Sequence, residues 1–143
     1  MLLMLKGLFL MINNKGQSLI LFVIVLPVLL LILVLVIDIG RVIFLKQELN
    51  NINEIVLDYG VDYLNNDVSI SSIENKLIEI IELNKNDIDM IDVKIENDKI
   101  YIELSEKIEG IISPILDISV FDIKSYYVGY MDNGKKRIER VSR

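Results

Sequence analysis

The stretch Asn-Asp-Ile-Asp-Met-Ile-Asp places carboxylates at Asp87, Asp89 and Asp92, the nearest this chain comes to a metal-ligand spacing. Alternating acids are what a hard cation such as calcium needs, because it takes six or more oxygen ligands from one tight loop. A calcium loop would also need an acid at the fifth place and a glycine after it. Here Ile91 and Asp92 stand there, so these acids are expected to line the start of a strand. Ser105 and Lys107 are the right types for a nucleophile and its base. Nothing in the sequence pairs them, and no G-x-S-x-G turn is present. The chain has no histidine and no cysteine, which removes the commonest general base, the commonest metal ligand and any disulfide. No glycine-rich phosphate loop occurs. The expectation is a protein without catalytic residues, metal or cofactor, and not an enzyme.

The remaining chemistry lies at the end of an apolar run. Leu19 to Ile37 holds 19 consecutive residues without a polar side chain, then Asp38-Ile39-Gly40-Arg41. At about 1.5 Å per residue the run spans about 28 Å, the thickness of the hydrocarbon layer of a bilayer. A cleaved secretory signal would be shorter and would end in small residues. The run therefore reads as a single-pass transmembrane helix in contact with membrane lipid. Asp38 and Arg41 are three residues apart and can meet on one helix face, so an interfacial ion pair is expected rather than a proton or substrate role. Pro27 removes the backbone bond to the carbonyl of Val23. It could kink the helix and ease packing, or simply be tolerated, as transmembrane helices tolerate proline.

Charge is unevenly spread along the 143 residues. The net charge is −6, yet residues 41–134 carry 19 acids against 8 bases, and residues 135–143 carry 5 bases and one acid. The acidic body argues against nucleic acid as a partner. The basic tail reads first as a solvated end and second as a docking element. Lys6 and Lys15 precede the span, Arg41 and Lys46 follow it, and the balance gives little orientation. Because the short segment precedes the span and the folded part follows it, the N-terminus is expected in the cytoplasm. Residues 1–12 are apolar but too short to span; Met11 is an alternative start.

Beyond Asp38 the apolar residues become periodic. Val42, Leu45, Leu49, Ile52, Val56, Tyr59 and Tyr63 recur at steps of three and four, one face of a helix at the 3.5-residue repeat. Polar residues between them, including Asn50 and Asn53, define the other face. The membrane helix is expected to continue to about Asn65, with most of this stripe covering a sheet of the chain's own. Ser71-Ser72-Ile73-Glu74 has the spacing of a capping box and opens a second helix through about Leu83, with Ile73, Leu77, Ile80 and Ile81 inward. From Ile88 the period falls to two. Ile91, Val93 and Ile95, then Ile100, Ile102 and Leu104, flank Asn97-Asp98 and predict a hairpin. Gly110 and Pro114 interrupt residues 108–116, a loop or short helical turn. Residues 118–129 predict a third strand, Asn133-Gly134 a type I′ turn, and residues 137–141 a short edge strand. The fold class is α+β: a long N-terminal helix, half in membrane and half packed on a small antiparallel sheet.

That plan is the general one of type IV pilins. Gly16-Gln17, Leu26-Pro27 and Asp38-Ile39-Gly40-Arg41, within residues 16–60, resemble the TadE-like family of pilus-assembly pseudopilins of tight-adherence (Flp-type) systems. The resemblance implies a leader over residues 1–16, a membrane helix over 17–40 and an extracytoplasmic pilin-like domain over 41–143. It also implies cleavage by prepilin peptidase between Gly16 and Gln17, and assembly with other pilins or pseudopilins on an inner-membrane pilus assembly platform. A glycine before the cut lets the backbone enter a protease cleft without a side chain. The family's glutamate, five residues after the cut and followed by phenylalanine, is here Leu21 before Phe22. In pilins that carboxylate is thought to pair with a neighbour's terminal amine; Leu21 cannot, which points to a minor or tip subunit. The alternative is an uncut, membrane-anchored extracellular interaction or sensory domain.

Overall fold

The computed structural model describes residues 14–64, 69–111 and 120–142. Helix α1 runs from Asn14 to Leu64, α2 from Ile70 to Asn84, and four strands follow: β1 (Met90–Glu96), β2 (Lys99–Ile108), β3 (Phe121–Asp132) and β4 (Lys135–Arg140). The strands form one antiparallel meander in the order β1-β2-β3-β4. The α+β arrangement of a long apolar-to-amphipathic helix on a small antiparallel sheet is the one expected from the sequence.

α1 has 51 residues, about 75 Å at the usual rise, and is continuous through Pro27. It is the one helix among the described residues long and apolar enough to cross a membrane. Its second half lies over β2 and β3, with α2 beside it over β1. The core is one layer between helices and sheet. Leu45, Leu49, Ile52, Val56, Leu57 and Val61 of α1 meet Ile73, Leu77 and Ile81 of α2, and Ile100, Ile102 and Leu104 of β2. Register keeps the apolar residues in step: Ile102 is opposite Val93 on one side and Tyr127 on the other.

The stripe on α1 departs from the expected one in an instructive way. Leu45, Leu49, Ile52 and Val56 are buried as expected, but Tyr59 is half-buried and Tyr63 is exposed. The core takes Leu57 and Val61 instead. A straight α-helix repeats at 3.6 residues, so a 3.5-residue stripe drifts about 20° per heptad. After two heptads the stripe lags the face toward the sheet by about 40°, which turns Tyr59 and Tyr63 outward and Leu57 and Val61 inward. Asn53, expected on the polar face, is fully buried against Ser125 of β3.

Two glycines set how closely the layers approach. A Cβ on Gly129 would sit 3.0 Å from Leu57 and Val61, and one on Gly60 would sit 2.8 Å from Ile100 and 3.0 Å from Leu77. Both hairpin turns form where expected, with φ of 51° and 59° at Asn97 and Asp98, and 50° and 75° at Asn133 and Gly134. Those left-handed values are what a type I′ turn requires.

Several boundaries move. α2 starts at Ile70 with Ser69 at its N-cap, so Ser71 and Glu74 lie inside the helix and do not form a capping box. The Ser69 carbonyl accepts from the Ser72 and Ile73 amides at 2.9 and 3.2 Å. β3 starts at Phe121 rather than 118 and runs to Asp132. β4 starts at Lys135 because the two-residue turn lets pairing resume at once. Residues 135–140 of the basic tail are therefore sheet and not a frayed end: Lys136 Nζ lies 2.8 Å from both Asp58 Oδ1 and Asp62 Oδ2 on α1. Most of the expected loop over 108–116, and residues 1–13 of the expected leader over 1–16, lie outside the described residues.

Candidate assembly helix and its exit clamp

From Leu19 to Ile37 the side chains of α1 are exposed, apart from half-buried Val34. An apolar surface of that extent on a water-facing helix would be strongly unfavourable, at about 25 cal/mol per Å² of apolar area. It requires lipid or other apolar helices. Leu21 and Phe22 are 63% and 59% exposed within it, so neither is used by the chain's own fold. Gly16 and Gln17 lie in the first described turn of α1. A Cβ on Gly16 or Gly40 would meet nothing within 4 Å. Among the described residues neither glycine is required by a contact, in contrast to Gly60 and Gly129.

At the end of the apolar run the charges do more than pair with each other. Asp38 is almost fully buried, and Arg41 Nη1 approaches Asp38 Oδ1 at 3.7 Å, the expected interfacial pair. The shorter contact is from elsewhere: the Ile111 amide donates to Asp38 Oδ1 at 2.9 Å. Arg41 Nη1 donates to the Glu109 carbonyl at 3.3 Å. Both side chains thus reach the segment leaving β2. The carboxylate satisfies an N–H that β2 no longer pairs, and the guanidinium satisfies a carbonyl two residues earlier. Asp38, Arg41, Glu109 and Ile111 form a clamp between the base of the sheet and the last turn of the apolar run.

Two further polar clusters fasten the domain half of α1. Asn53 Nδ2 donates to Ser125 Oγ at 2.8 Å and to the Ser125 carbonyl at 3.2 Å, and Ser125 Oγ donates to Asn50 Oδ1 at 2.8 Å. Lys85, just past α2, lies 2.9 Å from Glu48 Oε2 on α1 and 3.2 Å from Glu106 Oε2 on β2. Burial alone would lower the Lys85 pKa, but its contacts to Glu48 and Glu106 outweigh this and raise it. Burial pushes the Glu106 carboxyl up, and Lys85 draws it back only in part. Each is a side-chain link between segments far apart in sequence.

The residues with catalytic or ligating types are spent on structure. Asp89 Oδ2 accepts from the Lys107 amide at 2.6 Å, Asp92 pairs with Lys94 at 2.7 Å, and Asp87 lies 3.6 Å from Lys85. Among the described residues no group of three His, Cys, Asp or Glu is placed to hold a metal ion. Ser105 Oγ donates to Asp122 Oδ1 at 2.7 Å rather than to a base. That bond, helped by Lys124 and Lys107, holds the Asp122 carboxyl below its usual pKa. Sequence reasoning missed the Ile111 and Glu109 partners of the clamp; no local signal marks them, because they lie about seventy residues from Asp38 and Arg41.

Comparison with known proteins bears on this helix. Residues 16–52 match the family model described as TadE-like protein. The match starts at Gly16, includes Pro27, Asp38, Gly40 and Arg41, and ends within the first turns of the buried stripe. The resemblance read from the glycine, the Leu-Pro pair and the Asp-Ile-Gly-Arg exit is therefore that of a TadE-like protein. No curated protein matches the chain, and no solved structure does.

Proposed function

We propose that the chain is a minor pseudopilin-like component of a tight-adherence type IV pilus or a related secretion machine. Its function is to assemble and to present a small domain, not to catalyse. The carrying observation is the TadE-like match over residues 16–52, the part of α1 that holds the exposed apolar span and its exit. In this reading residues 1–16 are a leader, 17–40 cross the cell membrane, and 41–143 fold outside, with the N-terminus cytoplasmic. Prepilin peptidase cuts between Gly16 and Gln17, where a glycine lets the backbone enter the protease cleft without a side chain. The exposed face of the span packs on other pilin helices within the assembly platform. Gly40, with open space where a Cβ would be, allows a neighbouring helix to come close. Leu21 leaves the neighbour's amine without a carboxylate, which suits a subunit at a tip or in low number.

A second reading is an uncut single-pass anchor carrying an extracellular interaction or sensory domain. Leu21 favours it, since the side chain most tied to polymerisation is lacking. The test is the N-terminal residue of the membrane-extracted protein, read by mass spectrometry with and without the prepilin peptidase. A start at Gln17 that needs the peptidase, and that Gly16→Arg abolishes, supports the pseudopilin. The same uncut terminus in all samples supports the anchor.

A further inference from the structure

The clamp fixes where the sheet sits relative to the apolar run. Asp38 follows Ile37 directly, and its carboxylate holds the Ile111 amide at 2.9 Å. The end of β2 is therefore within one hydrogen bond of the last turn of the span. Phe121 pairs with Ile108, three residues before Ile111, so the start of β3 lies within about 10 Å of the same level. At this end of the domain Ile111, Val120 and Phe121 are 50%, 42% and 37% exposed. On α1, Ile39 and Ile43 are 51% and 52% exposed. They lie about 100–140° around the helix from Asp38, away from the sheet. Large apolar side chains thus ring the exit on both sides, continuous with the exposed apolar surface of the span.

We propose that this collar is a second lipid contact: Ile111, Val120 and Phe121 at the base of the sheet rest in the interfacial layer of the bilayer. The occupant is the lipid surface because the clamp puts these residues at the level where the membrane helix leaves it. The proposal rests on the membrane-spanning reading of residues 19–37. Apolar and aromatic side chains are favoured at that depth, where one end can stay dry and the other meets headgroups. Glu109 and Asp122 at the same end keep the base from sinking further, while Arg41, Lys107 and Lys124 can meet lipid phosphates. The consequence is orientation. A lone span can tilt in the bilayer and carry the domain with it; a second contact fixes the tilt at which the sheet stands on the membrane.

The chain contains no tryptophan, so one introduced indole reports its own depth. The full-length protein is reconstituted into vesicles containing phosphatidylcholine brominated either near the headgroup or near the bilayer centre. Phe121→Trp should lose fluorescence mainly to the shallow bromine, and Ile111→Trp should behave alike if the first variant fails to fold. Ile55→Trp, about 25 Å further along α1, should be quenched by neither. Leu30→Trp, mid-span, should be quenched most by the deep bromine. If Leu30→Trp is quenched and both collar probes are not, the base of the sheet stands in water and the proposal fails alone. If Leu30→Trp is not quenched either, the membrane-spanning reading fails and takes the collar with it.

Discussion

α1 is one helix with two economies. Between Leu19 and Ile37 it is apolar all round and buries nearly nothing in its own fold. Between Leu45 and Val61 it carries a polar face, buries the other, and is fastened by Asn53, Glu48 and Asp58 to three different parts of the domain. There is no break between them. The difference is one of solvent. The first half pairs its backbone groups within the helix, apart from the Val23 carbonyl that Pro27 leaves without its amide, and needs an apolar surround, as a bilayer or a bundle of like helices supplies. The second half is held by tertiary packing, as most helices in water are. A subunit that must leave the membrane for an assembly would gain from this division, since the domain stays folded while the span changes partners.

The largest expected effect tests that division directly. Leu49→Ala should destabilise the domain by about 2–5 kcal/mol, because it empties a fully buried site between α1 and the sheet. Leu30→Ala removes the same atoms from a side chain 54% exposed and should leave domain unfolding unchanged. Denaturant titration of the detergent-solubilised full chain, followed by far-ultraviolet circular dichroism, measures both. An equal loss for Leu30→Ala would mean that the span and domain unfold as one unit.

A smaller effect separates charge from packing in the domain half. Lys85→Met leaves Glu106, 13% exposed at its side chain, beside Glu48 without a cation. A cost of about 1–2 kcal/mol is expected at neutral pH, the lower part of the range for a stranded buried group because water reaches Glu48. The sign with pH follows from Glu106. Its folded-state pKa already lies above the ordinary 4.5, and removing Lys85 sends it higher. The ionised form is the one penalised, so the deficit is full above that elevated value and fades as pH falls toward 4.5. Stability measured across this window should show the variant and parent curves converging on the acid side. Curves that stay parallel would mean that the loss does not arise from ionisation of Glu106.

How much of this was legible depends on the range over which each interaction acts. Leu45, Leu49, Ile52 and Val56 could be read because periodicity is local. The turns at Asn97-Asp98 and Asn133-Gly134 could be read because only a few residue types accept positive φ there. Leu57 and Val61 could not be chosen over Tyr59 and Tyr63 without the helix's true pitch, since both sets continue the pattern. Asn53 looks like surface in sequence; only Ser125, fully buried on an inward position of β3, explains its burial. The start of α2 was misplaced because Ser69, Ser71 and Ser72 are chemically alike as caps, and the side chain of the one used makes no capping bond. On α1, Asp38 and Arg41 were legible as a pair, being one turn apart. Their partners at Glu109 and Ile111 were not, because nothing in the sequence fixes where β2 ends above the helix.

That clamp is where the two halves of α1 meet, and it carries the smallest expected effect. Asp38→Ala removes the acceptor of the Ile111 amide and the anion facing Arg41. A lost hydrogen bond to a charged acceptor is worth about 1.5–3 kcal/mol, but the segment leaving β2 can move and let water replace it. The cost should therefore be local opening, with global stability changed by about 1 kcal/mol or less. Hydrogen exchange by NMR reads the difference: the Ile111 amide should exchange much faster, while those of Ile102 and Tyr127 in the sheet core should not. Asp38→Asn keeps an acceptor oxygen and should fall between Asp38→Ala and the parent. Arg41→Ala should accelerate Ile111 less than Asp38→Ala, because its own bond is to the Glu109 carbonyl. If the core amides accelerate with Ile111, the clamp is part of the domain's cooperative unit. The boundary between the membrane half and the domain half would then lie before Asp38, inside the apolar run itself.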